Sequence, residues 1–309
     1  MKTGRAIGAL AAAAVFFTAE SEYEKKHFTV KKYRITTDRL DAAWNHTRAV
    51  FLSDLHGNSF GADNSRLKQA IRRANPQMIL IGGDMLTVKP WEPWEPGALE
   101  RLLRWMTERY PVYYADGNHE ARMTWEPKQY PGWSRDFDAM LKRCGVIRLQ
   151  DRGMTIRRGS SALHIFGLEL EKEYYRKGRK AQMPTGCMTS HLGNAPKEGF
   201  RLLLAHSPLY LPEYAAWGAD LVLSGHFHGG TVRLPGGQGV MSPQMQFLSR
   251  YNRDAAWYNG VPMIISSGLG THSINVRINN PPQLIVLEWR TPSKKVSDKP
   301  GVSCYTETQ

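Results

Sequence analysis

The sequence predicts an α/β fold built from βαβ units, with mixed sheets flanked by helices. Apolar runs of strand length recur along the chain, and segments with helical periodicity separate several of them. Five of these runs end immediately before a short polar motif, which is typical of strands whose carboxyl ends carry ligands. With 309 residues, 41% of them hydrophobic, the chain is long enough to bury one large core.

The N-terminal part of the chain precedes the predicted core. Within residues 1–19, Lys2 and Arg5 are followed by an apolar stretch at 6–19, a pattern that predicts a signal peptide or an N-terminal membrane anchor. The stretch is shorter than the roughly 20 residues that span a bilayer, and a packed N-terminal helix is the alternative. Residues 20–46 are interpreted as an N-terminal extension with an edge strand. We therefore expect an exported or membrane-anchored protein whose folded domain lies outside the cytoplasm.

Residues 47–290 are predicted to form one domain in which strands and helices alternate. The apolar runs predict strands at 49–53, 78–82, 112–115, 202–205 and 221–223. Apolar residues at helical spacing predict helices at 64–74, 97–108 and 134–143. Asp63 or Asn64 can cap the first of these helices. Strands separated by helices imply a largely parallel sheet.

The C-terminal third has a different pattern. Short apolar runs and many glycines in residues 232–286 predict a separate mixed or antiparallel sheet. Residues 291–309 are interpreted as a polar C-terminal tail. The three cysteines of the chain lack the spacing of a metal site, so no sulfur-ligated metal is predicted.

Five polar motifs follow predicted strands: Asp54-Leu55-His56, Gly83-Asp84, Gly117-Asn118-His119-Glu120, Ala205-His206-Ser207 and Gly225-His226-Phe227-His228. Because ligands of open α/β sheets bind beyond the carboxyl ends of the strands, these motifs are expected to meet in one place. They offer carboxylate, imidazole and amide groups but no thiolate. Such a set suits Mn, Fe or Zn in a catalytic site better than a structural zinc site.

The ordered motifs resemble those of the calcineurin-like metallophosphoesterases, which are Asp-x-His, Gly-Asp, Gly-Asn-His-Asp/Glu, a single His and Gly-His-x-His. The resemblance extends from about Thr47 to about Trp289. The blocks Gly268-Leu269-Gly270 and Arg277-Ile278-Asn279-Asn280 are similar to those of a bacterial, often exported, phosphodiesterase subgroup. The resemblance implies a two-sheet α/β sandwich, which agrees with the pattern of elements.

The resemblance also implies two divalent metal ions, of Mn, Fe or Zn. One would be held by Asp54, His56, Asp84 and His228. The other would be held by Asp84, Asn118, His206 and His226, so that Asp84 bridges the pair. The implied reaction is hydrolysis of a phosphoester, with a phosphodiester favoured, by attack of water that the metals activate.

Three further residues are candidates for contact with the substrate or the reaction. In the family, the residue that matches His119 protonates the departing alcohol or stabilises charge on the phosphoryl group, and general acid is the role expected of His119. Glu120 is interpreted either as a residue that orients His119 or as a solvent-facing helix cap. The glycine-rich run at 229–237 lacks the Lys-Ser/Thr ending of a P-loop and predicts a hairpin, in which Arg233 could contact phosphate. Asn118 is a second candidate for that contact.

The chain carries 41 Lys and Arg against 28 Asp and Glu, a net charge of +13. Basic clusters include Arg72-Arg73, Arg157-Arg158 and Arg176-Lys177. An anionic lipid, a cell-wall polymer or nucleic acid would suit this charge, although a solvated surface explains it equally. No RNA-recognition motif or zinc finger is present in the sequence. Charge therefore identifies no partner, and the oligomeric state is not predicted.

Two alternative functions remain open at this point. One is hydrolysis of a lipid-linked pyrophosphate such as an acylated UDP-sugar, which the N-terminal apolar stretch would suit. The other is a non-catalytic metal-binding scaffold, although a scaffold has no need of His119.

Overall fold

The computed structural model describes residues 2–271, 274–292 and 301–305. Its α-helices are α1 Lys2–Lys26, α2 Ser65–Ala74, α3 Gly97–Thr107, α4 Asn118–Trp125, α5 Trp133–Arg143, α6 Cys187–Leu192 and α7 Leu211–Trp217. The three predicted helices are confirmed as α2, α3 and α5, within one residue at each end. Asn64 is the N-cap residue of α2, but its side chain accepts a hydrogen bond from Phe60 N rather than from the helix.

The strands are β1 Thr29–Thr36, β2 Arg48–Leu52, β3 Met78–Ile81, β4 Val112–Tyr114, β5 Ile147–Arg148, β6 Arg152–Arg158, β7 Ser161–Leu168, β8 Phe200–Ala205, β9 Leu221–Ser224, β10 Ala255–Tyr258, β11 Val261–Ile265, β12 Gln283–Arg290 and β13 Gly301–Tyr305. They form two sheets, in the orders β13-β1-β12-β2-β3-β4-β5 and β10-β11-β9-β8-β7-β6. Both sheets are mixed, with parallel pairing from β2 to β5 and between β7, β8, β9 and β11.

The prediction of a separate sheet in residues 232–286 is wrong. β10 and β11 extend the second sheet, where β11 pairs in parallel with β9. β12 instead crosses to the first sheet and lies between β1 and β2. Seven of the eight residues of β12 are buried, and such a strand needs neighbours on both edges and cover on both faces.

The prediction of an edge strand in residues 20–46 is also wrong. β1 is present, but β13 pairs with it in antiparallel fashion from Lys32↔Tyr305 to Thr36↔Gly301. Part of the predicted polar tail is therefore a strand. This pairing satisfies backbone groups that an edge strand would leave exposed. The guanidinium of Arg34 also lies 4.8 Å from the centre of the Tyr305 ring.

Helix α1 covers the stretch predicted as a signal peptide or membrane anchor. Among the residues that the structure describes, no helix has both the length and the apolar character that a membrane span requires. Near its end, α1 contacts the segment before β12, where Ser21 Oγ accepts a hydrogen bond from Arg277 N and Glu24 accepts one from Asn280 N. Export or anchoring remains a prediction.

The two sheets pack face to face, with helices outside each of them. The central cluster draws on both sheets and includes Phe51, Leu80, Leu202, Leu223 and Trp289. A second cluster packs α2, α3 and α5 on the outer face of the first sheet, and a third packs α6 and α7 on the second. The result is the two-sheet α/β sandwich that the sequence predicts, and it brings the strand ends of both sheets together.

Candidate metal centre

The candidate metal ligands lie just beyond the carboxyl ends of β2, β3, β4, β8 and β9. Five of the seven have left-handed backbone, with φ between +48° and +65°: Asp54, His56, Asp84, His226 and His228. Residues other than glycine rarely adopt this conformation, and backbone strain of this kind concentrates at functional sites. The sharp turns allow each strand to end directly in a ligand.

Two motif glycines allow the ligand loops to approach one another. Gly83 has φ +91°, and a Cβ at this position would collide with the backbone of Gly117. A Cβ on Gly117 would collide in turn with the carboxylate of Asp84. The loops after β3 and β4 therefore pack backbone to backbone, which explains the glycine in both motifs.

The first group of potential ligands consists of Asp54, His56 and His228, whose ligand atoms all lie within 4.8 Å of one another. Nε2 of His228 is 3.4 Å from Asp54 Oδ1 and 3.2 Å from Nε2 of His56. Asp84 Oδ2 lies 3.9 Å from Nε2 of His56. The structure thus brings together the four residues that the sequence analysis assigned to one ion.

The second group consists of Asp84, His206 and His226, whose ligand atoms also lie within 4.8 Å of one another. Nε2 of His206 is 3.1 Å from Asp84 Oδ2. Asn118 Oδ1 and His226 Nε2 are buried and accept no hydrogen bond from the residues that the structure describes. Buried polar atoms without partners are costly, so these two atoms are candidates for binding an ion. Asp84 lies at the junction of the two groups, as expected for a bridging ligand.

Backbone carbonyls orient two of the imidazole rings. His206 Nδ1 lies 2.6 Å from Gly82 O, and His228 Nδ1 lies 3.2 Å from Gly270 O. Because a carbonyl oxygen only accepts, Nδ1 carries the hydrogen in each ring, and a neutral ring has its lone pair on Nε2. Ligands about 2.1 Å from one ion are about 3 to 3.5 Å apart, close to the spacing between His206 and Asp84. The residues therefore fit divalent metal ions.

Burial and mutual charge shift the pKa values of these groups. Burial raises the pKa of Asp54 to about 6. Burial also opposes a charge on Asp84, but the imidazoles of His206 and His119 hold its pKa well below the usual range. Burial lowers the pKa of His226 to about 3, which keeps this ring neutral. Burial also lowers the pKa of His206, but the carboxylates of Asp84 and Asp54 outweigh this effect and raise the pKa to about 10. A metal ion that binds to this ring would therefore displace a proton.

Hydrogen bonds from neighbouring motifs hold both carboxylates in place. Asp54 accepts from His226 N at 3.0 Å and from Ser53 Oγ at 2.5 Å. Asp84 Oδ1 accepts from His119 N at 2.7 Å, at the start of α4, where the helix dipole also favours a carboxylate. Each ligand loop is thus positioned by another.

Glu120 differs from both interpretations made from the sequence. It does cap α4, because it accepts from Gly117 N, but the residue is fully buried rather than facing solvent. The same carboxylate accepts from Asp84 N, Met85 N and Tyr114 Oη at 2.8 to 2.9 Å. Burial raises its pKa to about 7. Glu120 is therefore a positioning residue for the loop that carries Asp84.

His119 lies beside the metal ligands. One of its ring nitrogens is within 4.8 Å of the ligand atoms of His56 and Asp84. Its Nδ1 accepts a hydrogen bond from Val88 N at 3.0 Å. The ring is buried, and the loop after β3 holds it through this hydrogen bond.

Arg233 is engaged in contacts within the protein. Its guanidinium pairs with Asp254 at 2.6 Å and donates from Nε to Gly229 O at 3.2 Å. These contacts support the backbone next to His228. The sequence predicts a hairpin at 229–237, and the structure has an antiparallel bridge between Arg233 and Gly239. Phosphate contact by Arg233 remains a prediction, for a side chain that is 9% exposed.

Sequence reasoning assigned no role to two residues that support the site. Arg277, which is 1% exposed, donates to the carbonyl oxygens of Ser267 and Gly270 at 2.7 and 2.6 Å. Asn280 Nδ2 donates to His228 O at 2.7 Å. Both residues belong to the block 277–280, which resembles a block of the phosphodiesterase subgroup. The sequence therefore singles out this block, but it does not indicate which carbonyl oxygens the two side chains bind.

This chain is similar to known proteins in sequence and in fold. The sequence profile of the calcineurin-like phosphoesterases matches residues 47–230. The uncharacterized metallophosphoesterase YkoQ of Bacillus subtilis (strain 168) is 27% identical over 259 residues, which cover 82% of this chain and 88% of that protein. An uncharacterized metallophosphoesterase of Aquifex aeolicus (strain VF5) is 25% identical, over 89% of this chain and 96% of its own. The crystal structure of phosphopantetheinyl hydrolase (PptH) from Mycobacterium tuberculosis aligns with a TM-score of 0.46 at 14% identity, over 72% of this chain and 89% of that one.

Proposed function

The chain belongs to the calcineurin-like phosphoesterase family, and we propose that it hydrolyses phosphodiesters with the help of two divalent metal ions. Family membership and the two groups of His and Asp side chains support a metal-dependent phosphoesterase. The observation that carries the proposal is a buried site in which the ligand atoms of Asn118 and His226 have no partner among the described residues. Burial of polar atoms without partners is costly, and His226 lies in a group whose ligand atoms also come from Asp84 and His206.

The protein supplies the charge and the geometry of the reaction. Divalent ions bound here would polarise the phosphoryl oxygens and lower the pKa of an attacking water molecule. Two such ions carry +4, and Asp54 and Asp84 return two negative charges, which leaves the centre with about +2 to attract a phosphoester. Burial of both carboxylates strengthens this attraction, because it keeps water away from the charges.

His119 is proposed to assist the leaving oxygen. Because Nδ1 accepts from Val88 N, the neutral ring carries its hydrogen on Nε2. This Nε2–H can donate a hydrogen bond to the leaving oxygen as negative charge develops there. Complete proton transfer from an imidazolium would require a hydrogen on Nδ1, which the Val88 N–H opposes. We therefore favour hydrogen-bond donation over the general-acid role expected from the sequence.

Two cavities beside the metal centre support a diester over a monoester. One reaches His228, and the other reaches Asn118 and His226. A phosphodiester has an organic group on each side of phosphorus, whereas a monoester has only one. The resemblance to a phosphodiesterase subgroup points the same way.

The proposal is tested on the full chain after removal of metal and reloading with Mn, Fe, Zn or Mg. We expect metal-dependent hydrolysis of bis-p-nitrophenyl phosphate that exceeds hydrolysis of p-nitrophenyl phosphate. Asp84→Asn should abolish it, because both groups of ligands lose a charge. A monoester preference would contradict the diester assignment. Inactivity with every metal would contradict the enzymatic proposal and favour a metal-binding scaffold.

A further inference from the structure

Two cavities of different chemistry meet at the metal centre. The apolar pocket has a volume of about 230 Å³ and is lined by Met241, Met245, Ile274 and Val276, next to His228. The basic pocket has a volume of about 180 Å³ and contains Arg122, Lys172, Arg176 and Lys177, next to Asn118 and His226. Lys177 and Pro243 line both pockets, so the two pockets adjoin at these residues, and each also reaches at least one candidate metal ligand.

The apolar pocket offers alkyl and thioether groups to an occupant. Met245 is 52% exposed and Ile274 is 42% exposed, and both are flexible or branched apolar side chains beside a charged centre. Exposed apolar side chains that line a concave site favour an apolar ligand, because ligand binding removes their surface from water. The pocket is therefore suited to an alkyl or acyl chain.

The basic pocket offers positive charge without compensating acids in its lining. Lys172 forms an ion pair with Glu126. Arg122, Arg176 and Lys177 form no ion pair with the residues that the structure describes, and Arg122 donates to Val88 O instead. Guanidinium and ammonium groups of this kind bind phosphate and other anions, and Arg binds them in a bidentate manner.

Aromatic side chains complete the wall of the basic pocket. The rings of Trp125 and Tyr175 lie 5.7 Å apart, and the Tyr175 ring is 5.1 Å from that of His226. Tyr175 thus connects the pocket directly to a candidate metal ligand. An anion bound among these cations would lie next to the phosphorus that the metal centre attacks.

We propose that the substrate is an amphiphile, with an alkyl or acyl group in the apolar pocket and a second anionic group in the basic pocket. This inference rests on the proposed phosphoesterase activity. In the reaction, the oxygen of water bonds to phosphorus while the P–O bond to the anionic arm breaks. The protons of water are then shared between the leaving oxygen and solvent. The lipophilic product retains the phosphate.

The test uses the full Mn-loaded chain and four substrates in a two-by-two design. They are the methyl and decyl esters of p-nitrophenyl phosphate and the methyl and decyl esters of adenosine 5′-diphosphate. All four release an alkyl phosphate, which is measured by mass spectrometry with each substrate held below its micelle-forming concentration. The decyl group tests the apolar pocket, and the second phosphate tests the basic pocket.

We expect kcat/KM to be about tenfold or more higher for decyl than for methyl esters. Met245→Asp should abolish this difference, whereas the matched control Met154→Asp, on the distant strand β6, should keep it. Arg176→Glu should lower kcat/KM for the diphosphate esters about tenfold more than for the p-nitrophenyl esters. Arg157→Glu, also on β6, is the control for the change of charge.

Equal rates for methyl and decyl esters, or equal effects of Arg176→Glu on both kinds of ester, would overturn the inference. If either outcome is found while the same preparation hydrolyses bis-p-nitrophenyl phosphate, the proposed phosphoesterase activity stands and only the inference about the substrate is wrong. Binding gives an independent answer if no substrate is hydrolysed. Calorimetry should then detect decyl phosphate binding at least about tenfold tighter than methyl phosphate, and loss of this difference in Met245→Asp. Equal affinities would contradict the apolar subsite.

Discussion

The loops that carry the candidate ligands and the segment at 241–248, which we propose faces the substrate, differ in burial. Asp54 and His206 are at most 1% exposed and lie directly beyond buried strands. In the segment at 241–248, Met245, Phe247 and Leu248 are each more than half exposed. Under the proposed function, the reaction would depend on the interlocked buried loops, whereas the choice of substrate would depend on exposed side chains whose replacement costs little stability.

Removal of one ligand gives the largest expected effect. His206→Ala should lower kcat for bis-p-nitrophenyl phosphate about a thousandfold, because one ion loses an imidazole that faces Asp84. Metal content per chain, measured by elemental analysis, should fall in parallel. The control is His164→Ala, since His164 lies on β7 and contacts Thr155 and the Glu198 carbonyl. If His206→Ala retained full metal content and activity, the ligand assignment would be wrong.

Loss of one buried acceptor should give the next largest effect. Glu120→Gln replaces an oxygen that accepts hydrogen bonds with an NH₂ group, and some of the Asp84, Met85, Gly117 and Tyr114 donors lose their partner. We expect about a 10-fold to 100-fold loss of activity or metal affinity. The free energy of unfolding should fall by about 2 kcal/mol. If Glu120 only positions the loop, the shape of the pH–rate profile should not change in the variant. If Glu120 took part in proton transfer, the profile should shift.

Metal loading should distinguish the two regions in hydrogen exchange. The amide of His226 donates to Asp54, so binding of an ion by these residues should slow its exchange about tenfold or more. Amides at 243–248 should exchange at the same rate with and without metal. Equal protection of the two regions would indicate that the segment at 241–248 closes over the ions. That result would contradict the division between buried loops that bind metal and exposed side chains that contact substrate.

The smallest expected effect concerns a carboxylate outside the ligand set. Burial raises the pKa of Glu169 to about 7, above its value of 4.5 in an unfolded chain. The folded protein therefore binds this proton more tightly, and the stability that the group contributes is lost as pH rises from about 5 to about 8. Glu169→Gln should reduce this loss by about 1 kcal/mol, measured by urea unfolding at both pH values. Glu198→Gln, at an exposed site, is the control for replacement of a glutamate by glutamine.

The sequence predicts where the five polar motifs lie in the fold, because each motif follows an apolar run within a few consecutive residues. It predicts α2, α3 and α5 for the same reason, since helical periodicity is local. The pairing of β13 with β1 was missed because it joins residues more than 260 positions apart and because β13 has little apolar pattern. The position of β12 was missed for a similar reason, because its neighbours β1 and β2 are distant from it in the sequence.

Other features escaped prediction because they arise only from assembly. Glu120 appears in the sequence as a residue next to His119, but folding brings it to the backbone of the Asp84 loop. The basic pocket combines Arg122 on α4 with Arg176 and Lys177, residues that separately resemble ordinary surface charges. The apolar pocket combines residues near 241–245 with residues near 274–276, and neither group has a periodicity that indicates a site.

The most direct test of the central claim is anomalous X-ray diffraction from crystals of the Mn-loaded protein. The account predicts two peaks about 3.5 to 4 Å apart on either side of Asp84. One should be bounded by Asp54, His56 and His228, and the other by Asn118, His206 and His226. A single peak, or peaks away from these side chains, would contradict a dinuclear centre at the carboxyl ends of the strands.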